Sequence, residues 1–289
     1  MKTLLFSGPL ISTMGYRQNN SWVIVVLLLC CKPVLAQQGT GFVLVPKGTY
    51  EVSKNANTQT PLRKVQIDSF RIAMYETTNR QFAAFVAATG YVTDAEKRHN
   101  ALVFEPGLDE FRWLEDSTAC WRYPNGISRG GINNRMGHPV TCISYHDVQA
   151  YCNWAKVRLP TLDEWEIACR AGTRTNYFFG ESDKAIQSYA NIWHGHDHKK
   201  ADTTDGYMYT SPVGHFKPNP WGLYDMYGNV FEFCTGKLSP NERPAIAHSR
   251  GGSWWCSKNA CHAFNSYNIG QVHVRASFSN QGFRVVKKG

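Results

Sequence analysis

The stretch Arg250-Gly251-Gly252-Ser253-Trp254-Trp255-Cys256-Ser257-Lys258-Asn259-Ala260-Cys261 places two cysteines five positions apart, behind a glycine pair and two tryptophans. Two thiolates at that spacing can converge on one soft ion, and thiolates favour Cu(I) or Zn(II). No third ligand lies nearby, which suits the low coordination of Cu(I), whereas a closed zinc site needs more ligands. Copper also activates O2, which side chains alone do not. A structural disulfide, or two unpaired buried thiols, are the alternative readings of the same pair.

Working outward, everything beyond Ala171 is aromatic, glycine-rich and irregular, with short strands predicted near Phe231 to Cys234, Arg250 to Trp255 and Gly282 to Val286. Upstream, Phe42 to Val45, Val65 to Ile67 and Phe70 to Met74 read as strand pieces. Phe82, Phe85 and Val86 fall at helical spacing after Asn79, and Gly90 suits a stop. Ser144 can cap a helix burying Val148, Tyr151, Cys152 and Ala155. Thr161 can cap the next, with Glu164 completing a capping box ahead of Trp165, Ala168 and Cys169. Thr93 to Gly137 shows little periodicity and reads as loops. Short helices in a strand-containing, mostly irregular chain predict one loop-rich α+β domain.

The 289 residues include 24 Gly, nine Trp and fourteen Tyr, which favours turns and aromatic packing over long helices. The formal charge is +9. No long basic run or groove-reading motif accompanies it, so nucleic acid is not an expected partner. Arg17, an apolar run from Trp22 to Cys31 and the small-residue pattern Val34-Leu35-Ala36 read as a secretory signal over residues 1–36, with a mature domain over 37–289. A retained membrane anchor is the other reading of that run. Export permits disulfides, and the seven cysteines beyond residue 36 leave at least one thiol unpaired within the chain or paired elsewhere. His194, His196 and His198 alternate and would share one face of a strand as a metal site; in a polar loop they would instead be solvated.

With these pieces assembled, the chain resembles the formylglycine-generating enzymes, or sulfatase-modifying factors, from about Phe42 to Arg284. Motifs widespread in that superfamily are His138-Pro139-Val140, Arg158-Leu159-Pro160-Thr161 with Glu164-Trp165-Glu166, Gly222-Leu223-Tyr224-Asp225-Met226, Gly228-Asn229-Val230 and Gly282-Phe283-Arg284. Closer to the enzymes themselves are Thr89-Gly90-Tyr91, Asp94-Ala95-Glu96-Lys97, Val103-Phe104-Glu105, Trp121-Arg122, Tyr189-Ala190-Asn191-Ile192-Trp193 and the Cys256/Cys261 spacing after Gly252-Ser253.

The resemblance implies a C-type-lectin-like fold and oxidation of a cysteine in an unfolded sulfatase segment to Cα-formylglycine, with O2 and Cu(I) held by Cys256 and Cys261. It assigns Ser253 to positioning substrate or oxygen. It also implies two calcium sites. One comprises Asn191, the Ile192 carbonyl, Asp205 and the Tyr207 carbonyl; the other comprises Asp225, the Gly228 and Val230 carbonyls and Glu232. Carboxylates mixed with backbone carbonyls are the hard donors Ca2+ takes. Two departures stand out. His262-Ala263-Phe264-Asn265-Ser266-Tyr267-Asn268-Ile269 lacks the arginines the enzymes carry after the second cysteine. Cysteines matching Cys152 and Cys169 pair in the enzymes with later ones, but those later positions hold Val285 and Ser266. A non-catalytic binding domain on the same fold, using Ser257 to Gln281 as an adaptable surface, is the alternative, as is a copper oxidase with another substrate.

Overall fold

The computed structural model describes residues 41–200, 202–238, 241 and 245–289. The leader expected over residues 1–36 lies outside the described residues. In chain order the elements are the strands Phe42–Val45 (β1), Gly48–Ser53 (β2), Leu62–Ile67 (β3) and Phe70–Ala73 (β4), then the helices Asn79–Thr89 (α1) and Asp94–Arg98 (α2). Strands Ala101–Val103 (β5) and Leu114–Asp116 (β6) precede the helices Tyr145–Ala155 (α3) and Leu162–Arg170 (α4). Phe231–Cys234 (β7), Ile246–Arg250 (β8), Gly270–His273 (β9), Gln281–Gly282 (β10) and Val286–Lys288 (β11) follow. Helices and short strands joined by long irregular segments make an α+β, loop-rich domain, as the sequence predicts.

The four α-helices among the described residues start with the same device. Thr78, Thr93, Ser144 and Thr161 each accept from the backbone N–H three residues on, and the side chain at that third residue returns to the cap: Gln81, Glu96, Asp147 and Glu164. The reciprocal bonds satisfy two orphan donors at each start. Each helix ends on a left-handed residue, Gly90, His99, Lys156 or Ala171, which accounts for their brevity.

The strands close the chain on itself. The C-terminal β11 lies antiparallel to β4, which also pairs with β1, so the two ends of the domain share one sheet. A second sheet runs in the order β10-β7-β8-β9. One core surrounds Trp165 and gathers Val45, Ile72, Ile167, Tyr227 and Cys256; another packs Phe82 and Phe85 of α1 against Tyr151, Phe233 and Phe283. A third, of Phe104, Trp193, Trp254 and Trp255, sits beside the cysteine pair.

Three expectations change. The segment from Thr93 to Gly137 carries α2, β5, β6 and a 3-10 turn at Ile127–Arg129; these are too short to show a period. The strand expected over Arg250 to Trp255 lies instead at Ile246–Arg250, because Gly251 and Gly252 take φ of 93° and 74° and break the extended run. The strand expected over Gly282 to Val286 divides into β10 and β11, as Arg284 turns inward between them.

Candidate functional site

Two turns after β8 build the cysteine loop. A Cβ at Gly252 would lie 2.8 Å from the Phe264 nitrogen, so only glycine lets the two segments approach this closely. The turn carries Ser253, Trp254, Trp255 and Cys256 into the interior, where all four are essentially buried. Cys256 donates its N–H to the Ser253 carbonyl at 2.9 Å, and its own carbonyl accepts from Trp193 N–H at 2.9 Å. Ser257 then closes a tight turn, its hydroxyl accepting from Ala260 N–H at 2.8 Å. This turn returns the chain so that Cys261 meets Cys256 with Cα atoms 5.0 Å apart.

The two sulfurs are joined as a disulfide, the alternative kept open from spacing alone. A thiolate pair therefore belongs to the reduced form of the same loop. Cys256 is fully buried and Cys261 half-buried, so one residue is anchored in the core while the other lies at its edge. Ser253 Oγ lies 3.9 Å from Cys256 Sγ. It accepts from Asn280 Nδ2 at 3.0 Å and from Trp255 N–H at 3.3 Å. Two soft sulfurs from one tight loop, one on a half-buried residue, fit a low-coordinate Cu(I) donor set once reduced.

The calcium residues fall into two adjoining places, since Asn229 N–H bonds the Asn191 carbonyl at 2.8 Å. At the first, Asp205 accepts from Tyr207 N–H through Oδ1 at 3.0 Å, while its buried Oδ2 accepts no hydrogen bond. His194 Nε2, also without a hydrogen bond, lies 3.5 Å away. Asn191 spends its amide on the Tyr209 carbonyl at 2.8 Å. At the second, Asp225 Oδ2 accepts from Gly214 N–H at 2.6 Å and Oδ1 is buried and unpartnered. Orphaned carboxylate oxygens at both places are what a hard cation would satisfy.

Glu232, however, is already engaged. Arg284 grips both its oxygens at 2.6 Å and Trp165 Nε1 donates at 2.6 Å. Glu76, which sequence reasoning missed, completes the group by accepting from Asn229 Nδ2 at 2.6 Å and from Val230 N–H at 3.3 Å. Burial, reinforced by Asp225 and Glu232, pushes the Glu76 carboxyl well up, and burial pushes Asp225 up to about 6. Three buried acids thus face one buried arginine. Glu76 was hidden because nothing around it in sequence marks it as more than a strand end.

The alternating histidines do not share a face. His194 turns to Asp205, His196 is exposed, and His198 is buried between two indole rings. Among the described residues no three His, Cys, Asp or Glu side chains are grouped to hold a metal. The remaining cysteines are free: Cys142, Cys152, Cys169 and Cys234 are buried and Cys120 half-buried. Burial pushes Cys152 and Cys169 up to about 12. Cys152 shares its core with Val285, so apolar packing stands where the resemblance would put a bond. The arginine-poor stretch after Cys261 points largely inward, with Ala263, Phe264, Asn265 and Ser266 buried.

The family described as the sulfatase-modifying factor enzyme 1-like domain matches residues 31–289. The chain belongs to this sulfatase-modifying factor family. It is 34% identical over 281 aligned positions to a protein named formylglycine-generating enzyme from Mus musculus, covering 85% of this chain and 74% of that protein. It is 33% identical over 292 positions to one of the same name from Mycobacterium tuberculosis, covering 86% and 97%. It is also 32% identical over 235 positions to a Bos taurus protein named inactive C-alpha-formylglycine-generating enzyme 2, covering 75% and 77%. Among solved structures, PvdO from Pseudomonas aeruginosa superposes with a TM-score of 0.62 at 24% identity, covering 86% of this chain and 94% of that one. At that identity the superposition supports the family fold alone.

Proposed function

We propose that this chain is an exported oxidase that converts a cysteine in an unfolded sulfatase segment to Cα-formylglycine. The observation that carries the reading is the convergence of Cys256 and Cys261 in one loop beside buried Ser253, in a chain similar to proteins named formylglycine-generating enzyme. In the reduced protein Cys256 and Cys261 would hold Cu(I). Copper so bound supplies the O2 activation that side chains cannot. The chain's own residues supply the rest. Buried Cys256 is fixed by its backbone bonds, and the half-buried Cys261 gives a peptide cysteine access. Ser253, held by Asn280 and Trp255, presents a hydroxyl to the sulfur it faces. Calcium held by Asp205 with the Ile192 and Tyr207 carbonyls, and by Asp225 with the Gly228 and Val230 carbonyls, would pin the irregular segments that frame this loop. At the second place Asp225 and Glu76 would carry the interaction more than Glu232, whose oxygens Arg284 already holds.

The reduced protein should take up one Cu(I) per chain. Cys256→Ser and Cys261→Ser should each abolish that uptake and the oxidation of a sulfatase-derived cysteine peptide, because a hydroxyl is a hard, mostly protonated donor. Peptide mass and aldehyde content report the oxidation. Copper binding that survives both single variants overturns the paired-sulfur site. Copper uptake without peptide oxidation favours a copper oxidase of another substrate. A non-catalytic binding domain is the second reading. The loss of arginines after Cys261 and the similarity to a relative named inactive favour it.

A further inference from the structure

His198 is fully buried, yet both its ring nitrogens face acceptors. Nδ1 lies 2.6 Å from Glu110 Oε2 and Nε2 lies 2.6 Å from the Trp255 carbonyl. The ring thus links Glu110 on one side to the Trp255 backbone on the other. It is stacked between Trp255, centroids 4.1 Å apart and 13° from parallel, and Trp193, at 4.8 Å and 30°. Indole faces on both sides hold the ring in that orientation. Glu110 also accepts from His198 N–H at 3.1 Å, and Gly107 N–H donates to the His198 carbonyl at 3.0 Å.

These bonds reach the segment 105–113, which among the described residues is otherwise held by two local turns, Leu108 to Glu105 and Arg112 to Asp109, an ion pair from Glu105 to Arg129, ring contacts and the packing of Leu108 and Trp113 against the tryptophan core. The segment sets Phe111 at φ 61°, a conformation a bulky side chain rarely takes, and leaves it 64% exposed. Phe111 lies 5.1 Å from Trp255 and Trp113 lies 5.8 Å from it, ring centre to ring centre. The strained aromatic therefore stands next to the residue that precedes Cys256.

We infer that His198 and Glu110 form a tether that positions the Phe111-bearing segment beside the cysteine loop, as an apolar landing for the residues flanking the peptide cysteine. The cysteine loop has its own backbone bonds, so breaking the tether releases the segment rather than Cys256. This inference rests on the oxidase reading for its substrate, while the tether itself is measurable without it.

His198→Gln removes the ring that makes both contacts, and Glu110→Gln removes the charge at a partly exposed position less able to disturb folding. Charge-assisted hydrogen bonds of this kind correspond to about a tenfold effect. Each variant should raise trypsin cleavage after exposed Arg112, mapped by mass, about tenfold, since the released segment opens locally. The double variant should be no worse than the worse single one, because both act through one link. With the cysteine peptide, KM should rise about tenfold while kcat is retained. Unchanged cleavage, or effects of the two variants that simply add, overturns the tether. A fall in kcat at unchanged KM overturns the landing role, because the histidine would then act on the cysteines. If the wild-type protein oxidises no peptide, the oxidase reading and the landing role fall with it, and the cleavage rates still decide the tether.

Discussion

Gly252 turns the end of β8 inward with φ 74°, and the Phe264 nitrogen occupies the space a side chain would need. Gly252→Ala should therefore lower the urea-unfolding free energy by about 1–2 kcal/mol from the left-handed backbone alone, and by more from the contact. It should also displace Ser253 and Cys256 together, so copper uptake by the reduced protein should fall in parallel. An alanine variant with unchanged midpoint and uptake would mean the turn is not what seats the pair. Neighbouring Gly251, also at positive φ, packs its α-carbon toward Trp165, 3.0 Å from where a Cβ would meet that ring. Two adjacent glycines thus serve different neighbours.

At the scale of elements, α1 begins against the segment that carries His138. Asn79 N–H bonds the His138 carbonyl at 2.9 Å, and the imidazole Nδ1 meets Thr210 Oγ1 at 3.1 Å. Burial, with help from the Arg135 charge, pushes His138 down to about 4 from 6.5. The folded state holds the neutral ring while the unfolded chain takes up a proton below 6.5. The contribution to stability is thus present above that pH and lost as pH falls from about 6.5 to about 4. The group is only partly enclosed, so solvent moderates the size of the effect. The difference in denaturation midpoint between wild type and His138→Gln should narrow across that window. A difference that stays constant between pH 7 and pH 4 would show that the ring titrates alike in both states.

For the whole molecule, long irregular segments depend on buried polar groups in place of regular hydrogen-bond ladders. Arg284, fully buried, ties Glu232 to the carbonyls of Ala73, Met74, Tyr224 and Asp225. It thereby joins the N-terminal strands, the acid group and the C-terminus. Three carboxyl groups lie around that one arginine. A bound divalent cation would balance them, stabilising the fold by about 2.7 kcal/mol at a hundredfold excess over Kd. Chelation should accordingly lower the melting temperature of calcium-loaded protein, and calcium should restore it. Asp225→Asn should weaken that response more than Glu232→Gln weakens it, after each variant's own baseline is subtracted. Melting unaffected by chelation would remove calcium from the account.

The local devices were legible in the sequence because they act over three or four residues. The cap at Thr161 with Glu164, the stop at Gly90, the strand at Phe231 to Cys234 and the close spacing of Cys256 and Cys261 all belong to this class. The family was legible for a related reason, since its motifs are short and contiguous. Other features depend on residues that only folding brings together. Glu76 meets Asn229 across 153 positions and Glu110 meets His198 across 88. No period or motif records such pairs. The three histidines show the limit most directly. Alternation would put them on one face of a strand, and the chain there is not a strand. Backbone turns send His194 to a carboxylate, His196 to solvent and His198 between two indoles. The sequence by itself determined which residues could cap, turn and bind. The tertiary structure alone decided which of them share a dry interior, because burial and charge pairing are properties of the packed chain.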